Sequence, residues 1–382
     1  MPKRISADQV LRPTLLAIAV SAALVPHVAK ALDFAQAPPG TVQPYVRPNV
    51  IISVDDSGSM DFRLDKENTS GATDEETPYA DGSWPSTSRR MNVLKYALRS
   101  VFDPSHPKYD NTLLPDGKIR LAWQVMHNNG KSTDAKSVDS ESLKNNSMRP
   151  LEGGHRTNFI SFVNSLDASG GTPSHTMFSQ ADAYLRRPPS KSGPWSGNPG
   201  GNDTAASTYL GCRRNYHIFM TDGRWNGTAS GGHQDCAAPY SNCNTNANGA
   251  NKTLPDGTVY SSSTAANRQK NKLYSDNYAN TLADWAFKSW SQRLQPVGAL
   301  TGDPEPAADY RKAPASESFG NDKDGNLASL ERYWNPKYNP ANWPHMVTYT
   351  IGFSAMAYTW PGAPDIIAPT QMVPFGYRSK SR

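Results

Sequence analysis

The stretch that most constrains this chain is Val50-Ile51-Ile52-Ser53-Val54 followed at once by Asp55-Asp56-Ser57-Gly58-Ser59. A short, nearly continuous β-branched run predicts a central strand covered on both faces, as in a parallel sheet flanked by helices. Its abrupt change to carboxylates and hydroxyls places chemistry at the strand's carboxyl end. In open α/β sheets that is the edge where ligands bind, close to the point where strand order reverses.

The remaining ordered segments fit such a sheet. Met91, Leu94, Leu98 and Val101 fall at helical spacing within 91–102, and Phe159, Phe162, Val163 and Leu166 form a second helix face. Residues 173–186 predict a third helix with Pro173 at its first position and Met177, Ala181, Tyr184 and Leu185 inward. Leu282, Trp285, Ala286 and Trp290 mark a fourth. Residues 119–126 alternate Ile119, Leu121, Trp123 and Val125 behind Leu114-Pro115-Asp116-Gly117, which predicts a strand after a hairpin-like turn. Residues 216–221 and 346–353 read as further strands. Strands alternating with helices predict an α/β fold with a doubly wound, mostly parallel sheet and right-handed crossovers.

The 28 Gly and 31 Pro among 382 residues would break an all-helical fold repeatedly, while 9 Trp, 17 Tyr and 11 Phe are too many for a disordered polymer. The excess Gly and Pro concentrate in polar stretches near 61–90, 127–154, 187–211, 223–277 and 295–344. These read as insertions decorating one domain over residues 47–355, followed by an irregular tail, 356–382. Of the net charge of +5, three units come from Lys3, Arg4, Arg12 and Lys30 against Asp8. The remaining +2 leaves no basic footprint for nucleic acid.

Residues 1–31 carry that basic start, an apolar run from Leu15 to Val25 and the small-residue pattern Ala29-Lys30-Ala31, the layout of a secretory signal peptide. No later segment predicts a membrane crossing, so the expectation is an exported protein with no transmembrane segment after cleavage. Export permits disulfides, but Cys212, Cys236 and Cys243 are an odd set. Cys236 and Cys243 could close a short loop, with Cys212 either a buried thiol or a partner to one of them.

Two more pieces complete the chemistry announced by Asp55-x-Ser57-x-Ser59: Gly170-Gly171-Thr172 before a helix, and Thr221-Asp222-Gly223 at a strand's carboxyl end. A hard divalent cation takes oxygen ligands, and Mg2+ keeps several of its waters. Ser57, Ser59 and Thr172 offer three neutral oxygens for direct ligation. Asp55 and Asp222 would act through waters and orient the hydroxyls, leaving the ion positive and with an open position for a partner's carboxylate. Asp-x-Ser-x-Ser alone arises by chance in roughly one chain in ten of this length; the ordered trio of loops carries the specificity. Without an ion, Ser57 and Ser59 would cap a turn and Asp55 would end a strand.

At these residues the chain resembles the von Willebrand factor A domain with its metal-ion-dependent adhesion site. That resemblance implies a Rossmann-like fold across 47–355, direct ligation of Mg2+ (or Mn2+ or Ca2+) by Ser57, Ser59 and Thr172, and water-mediated roles for Asp55 and Asp222. A narrower likeness rests on Cys212-Arg-Arg-Asn-Tyr-His-Ile-Phe-Met-Thr-Asp-Gly-Arg-Trp-Asn226 and Trp343-Pro-His-Met-Val-Thr-Tyr-Thr-Ile-Gly-Phe353. These strings resemble the N-terminal region of type IV pilus tip proteins of the PilC/PilY type. The implied role is a non-enzymatic adhesion module in the periplasm, on the outer-membrane surface or at the pilus tip. Its partners would be minor pilins or a host or abiotic surface bearing acidic groups. The family carries a β-propeller with a calcium site after this region; with the chain ending at Arg382, the expectation is a form lacking it.

Competing motifs are weaker. Asn129-Gly130-Lys131-Ser132 lacks the first glycine of a phosphate-binding loop, and Asp322-Lys323-Asp324-Gly325 lacks the closing Glu of a calcium loop. A periplasmic metal-assisted hydrolase would need a general base that the motif does not offer. A truncated, non-functional fragment would not unfold cooperatively.

Overall fold

The computed structural model of the protein describes residues 46–127, 145–197, 199, 209–222, 252–260, 282–321, 327–335 and 337–352. The expected signal peptide, Gly223, Cys236, Cys243, the tail 356–382 and the motifs at 129–132 and 322–325 lie outside those residues. In chain order the elements are β1 (Asn49–Val54), α1 (Arg90–Phe102), β2 (Arg120–Val125), β3 (Arg149–Pro150), α2 (Gly153–Ser165), α3 (Ser174–Arg186) and β4 (Asn215–Thr221). They continue with β5 (Lys252–Thr253), β6 (Val259–Tyr260), α4 (Leu282–Trp290), α5 (Ala308–Lys312), β7 (Ser316–Asn321), β8 (Leu327–Glu331) and β9 (Met346–Gly352).

Five strands form the central sheet in the order β3-β2-β1-β4-β9. β1 is parallel to β2, with Val54 opposite Val125, and to β4, with Val54 opposite Met220. β4 is parallel to β9, and only the two-residue β3 runs antiparallel. The chain thus builds outward from β1 through β2 to β3, then crosses back to add β4 on β1's other side. That reversal makes the carboxyl ends of β1 and β4 the switch point of the sheet.

Helices cover both faces, which is why β1 is buried at all six positions. On one face Val50, Ile52, Val54, Leu121, Trp123 and Val125 pack against Leu94, Leu98 and Phe102 of α1 and Phe159 and Val163 of α2. On the other, Ile51, Ala122 and Phe219 meet Met177, Phe178, Ala181 and Tyr184 of α3, with Trp285 of α4. A fully buried aliphatic or aromatic side chain contributes about 1.5–3 kcal/mol, so these two layers hold the sheet's edge in place.

One local expectation needs correction. Leu114–Gly117 does not open a hairpin; it turns the chain from α1 into β2, a parallel neighbour of β1, with Gly117 at a φ of 72°. β2 is buried along its whole length, and the polar members of its alternation have partners. Arg120 donates to Asn49 Oδ1 at 2.9 Å and the Pro194 carbonyl at 2.8 Å, and Gln124 donates to Ser53 Oγ at 2.7 Å and the Met177 carbonyl at 2.6 Å. Pro173 sits just before α3, as its N-cap. Cys212 is half-buried and has no disulfide partner among the described residues.

Candidate functional site

Asp55 continues the line of β1: its N–H donates to the Met220 carbonyl at 2.9 Å before the chain turns away. The turn is made by the carboxylate itself, which accepts the Ser57 N–H on Oδ1 at 2.9 Å. Oδ2 accepts the Thr221 hydroxyl at 2.7 Å, tying the end of β1 to the end of β4. Ser57, fully buried, lies with its Oγ 3.1 Å from Ser59 Oγ at the start of a short 3-10 turn, Gly58–Asp61.

The second loop meets the first backbone to backbone. Gly58 N–H donates to the Gly170 carbonyl at 3.0 Å, and a Cβ on Gly58 would lie only 3.3 Å from that oxygen. Gly170 has a φ of 79°, a conformation glycine adopts without penalty. His127, at the carboxyl end of β2, donates from Nε2 to the Gly171 carbonyl at 2.6 Å, while its N–H donates to Asp56 Oδ1 at 2.9 Å. These bonds seat buried Thr172 immediately before α3, where its carbonyl accepts the Ser174 N–H at 2.9 Å.

The third loop supplies Asp222 directly after β4. Its side chain is 2% exposed and accepts Arg90 on Oδ2 at 2.7 Å. Asp55, Ser57, Ser59, Thr172 and Asp222 therefore all stand on the three loops at the switch-point edge. Sequence reasoning missed Arg90, Asp56, His127 and Thr221. Arg90 was hidden at the end of a polar stretch; the other three sit at or just past strand ends, a position that could have flagged them.

The electrostatics of this edge are unfavourable to anions. Burial raises the Asp55 pKa, and the neighbouring charge of Asp222 raises it further, against the hydrogen bonds from Ser57 and Thr221. Burial also pushes Asp56 up to about 8, with the charge of Asp55 adding to the shift and the His127 N–H opposing it. Carboxylates gathered in a low-dielectric place favour either protonation or a cation nearby. Among the described residues no three His, Cys, Asp or Glu side chains gather as a metal-binding group. The available donors are hydroxyl and carboxylate oxygens, a set that suits a hard cation rather than a soft one.

Fold and site together define an α/β protein of the doubly wound type with a polar, oxygen-rich switch-point edge. No protein-family model matches the chain, and no solved structure matches it. Among curated proteins it is homologous to the type IV pilus biogenesis factor PilY1 of Pseudomonas aeruginosa. Identity to the strain PAK protein is 34% over 242 residues, covering 63% of this chain and 17% of the relative. Identity to the strain PAO1 protein is 30% over 274 residues, covering 70% and 20%. The chain thus spans about a fifth of the length of these relatives. Among the described residues no helix is long and apolar enough to cross a membrane.

Proposed function

We propose that this chain is an exported, non-enzymatic binding module of type IV pilus biogenesis, of the von Willebrand factor A type. In this reading its switch-point edge holds a divalent cation, Mg2+ by preference, and offers that ion to an acidic group on a pilin or surface partner. The homology to a pilus biogenesis factor supports the setting. One observation carries the chemistry: Ser57 and Ser59 hold their hydroxyls 3.1 Å apart on the loop that opens with Asp55, whose buried carboxylate also feels the charge of Asp222 at the end of β4.

Ser57, Ser59 and Thr172 would be the direct ligands. Asp55, whose two oxygens already accept from Ser57 and Thr221, would orient the first loop. A bound dication supplies an electrophilic centre with an open position for a carboxylate oxygen. The test is isothermal titration of the mature protein with Mg2+. Binding in the wild type that is abolished by Ser57→Ala and Thr172→Ala is expected; wild-type protein that takes up no heat-releasing Mg2+, Mn2+ or Ca2+ would sink the proposal.

A further inference from the structure

We infer that Arg90 is a positioning residue for this edge, holding Asp222 in the one orientation from which it can serve the cation. The inference rests on the cation reading above. Arg90 opens α1 yet exposes none of its side chain. Its guanidinium is gripped from three sides. One nitrogen donates to Asp222 Oδ2 at 2.7 Å, Nε donates to the Arg63 carbonyl at 3.0 Å, and the other terminal nitrogen donates to the Lys66 carbonyl at 3.1 Å and to Glu67 Oε1 at 2.9 Å. The Phe62 ring lies 5.5 Å below the guanidinium carbon.

Such a grip fixes the rotation of the planar fork, and the fork in turn fixes the carboxylate it meets. A lysine in the same place would keep the charge but could not make this set of bonds at once. The contact engages one oxygen of Asp222, Oδ2. It also sets a positive charge beside a buried carboxylate that would otherwise confront Asp55 unscreened. Because Glu67 and the 63–66 backbone hang on the same guanidinium, a rival role is conceivable: Arg90 as no more than a tether for that loop. The two roles separate experimentally, since Glu67 lies at the rim and shares the tether through a different guanidinium nitrogen from the one that meets Asp222.

The experiment titrates Mg2+ into wild type, Arg90→Lys, Arg90→Gln, Glu67→Gln and Asp222→Asn. It also reads the Mg2+-induced shift in melting temperature of each against its own metal-free form, so that any general loss of stability cancels. Expected are losses of about 10- to 100-fold in Mg2+ affinity for Arg90→Lys, Arg90→Gln and Asp222→Asn, the range for groups that orient a metal's ligands. Glu67→Gln should change affinity by less than about threefold, as for a half-exposed pair. Wild-type affinity in Arg90→Lys, tighter binding in Arg90→Gln, or an equal loss in Glu67→Gln would each overturn the inference while leaving the cation reading intact. Should the Arg90 variants not fold, undiminished binding by Asp222→Asn would overturn it. Wild-type protein that binds no Mg2+ overturns the cation reading, and this inference with it.

Discussion

Thr221 Oγ1 donates to Asp55 Oδ2 at 2.7 Å, so the last residue of β4 holds the carboxylate that closes the first loop after β1. The bond is buried and its acceptor carries a charge when ionised, which puts its worth at about 1.5–3 kcal/mol. Thr221→Val, which keeps the shape and removes the donor, should lower unfolding free energy by that amount in urea titration. Thr221→Ser should retain most of it. Equal stability of Thr221→Val and wild type would show that this hydroxyl adds nothing to the backbone pairing that already joins the two strand ends.

Two residues of the first loop should differ in how much they matter to an ion. Ser59→Ala removes a proposed direct oxygen, whereas Asp55→Asn changes a group that already spends both oxygens on protein donors. Calorimetry should find the larger loss of Mg2+ affinity in Ser59→Ala, with Asp55→Asn falling in the range of about 10- to 100-fold. The reverse order would make Asp55 a primary ligand.

Gly170 offers a test by backbone alone. An alanine there would take on a φ of 79° and bring its Cβ to 3.1 Å from His127 Nε2. Strain of this kind costs about 1–3 kcal/mol. Gly170→Ala should therefore lose that much stability, and because the same loop carries Thr172 it should also bind Mg2+ less tightly. A fully stable variant with unaltered binding would show that the loop can relax away from His127.

A buried histidine gives the protein an acid-sensitive component. His217 on β4 lies with Nε2 2.7 Å from Ser53 Oγ, whose oxygen also accepts from Gln124, and burial pushes its pKa down to about 3. In the unfolded chain a histidine titrates near 6.5. Between those values the unfolded state binds the extra proton, so the stability held by neutral His217 is complete above pH 6.5 and is lost as pH falls toward 3. The slope is about 1.4 kcal/mol per pH unit. Wild type should thus lose about 3 kcal/mol more than His217→Gln between pH 6.5 and 4. Parallel stability curves for the two proteins would remove this role.

Much of the architecture was legible because burial on both faces leaves a plain trace: β1, β4 and the faces of α1 and α3 are written in apolar spacing. β2 was legible as a strand, but the role of Arg120 and Gln124 at its polar positions was not. In the fold they bond to Asn49, Ser53 and backbone carbonyls across the sheet, partners that no local pattern reveals. The five proposed ligand positions were likewise readable from short strings. Arg90 was not, since its meaning depends on Asp222, 132 positions away.

That separation has a consequence for when the site exists. The bond from Thr221 to Asp55 spans 166 positions, and the edge is complete only once β4 has docked on β1. Contacts this remote in sequence form late, because a long loop must close before they return any free energy. A chain still being made has no such edge until Asp222 has emerged. Any ligand of this edge would act as a final lock on a finished sheet, and could not serve as the seed around which the sheet begins.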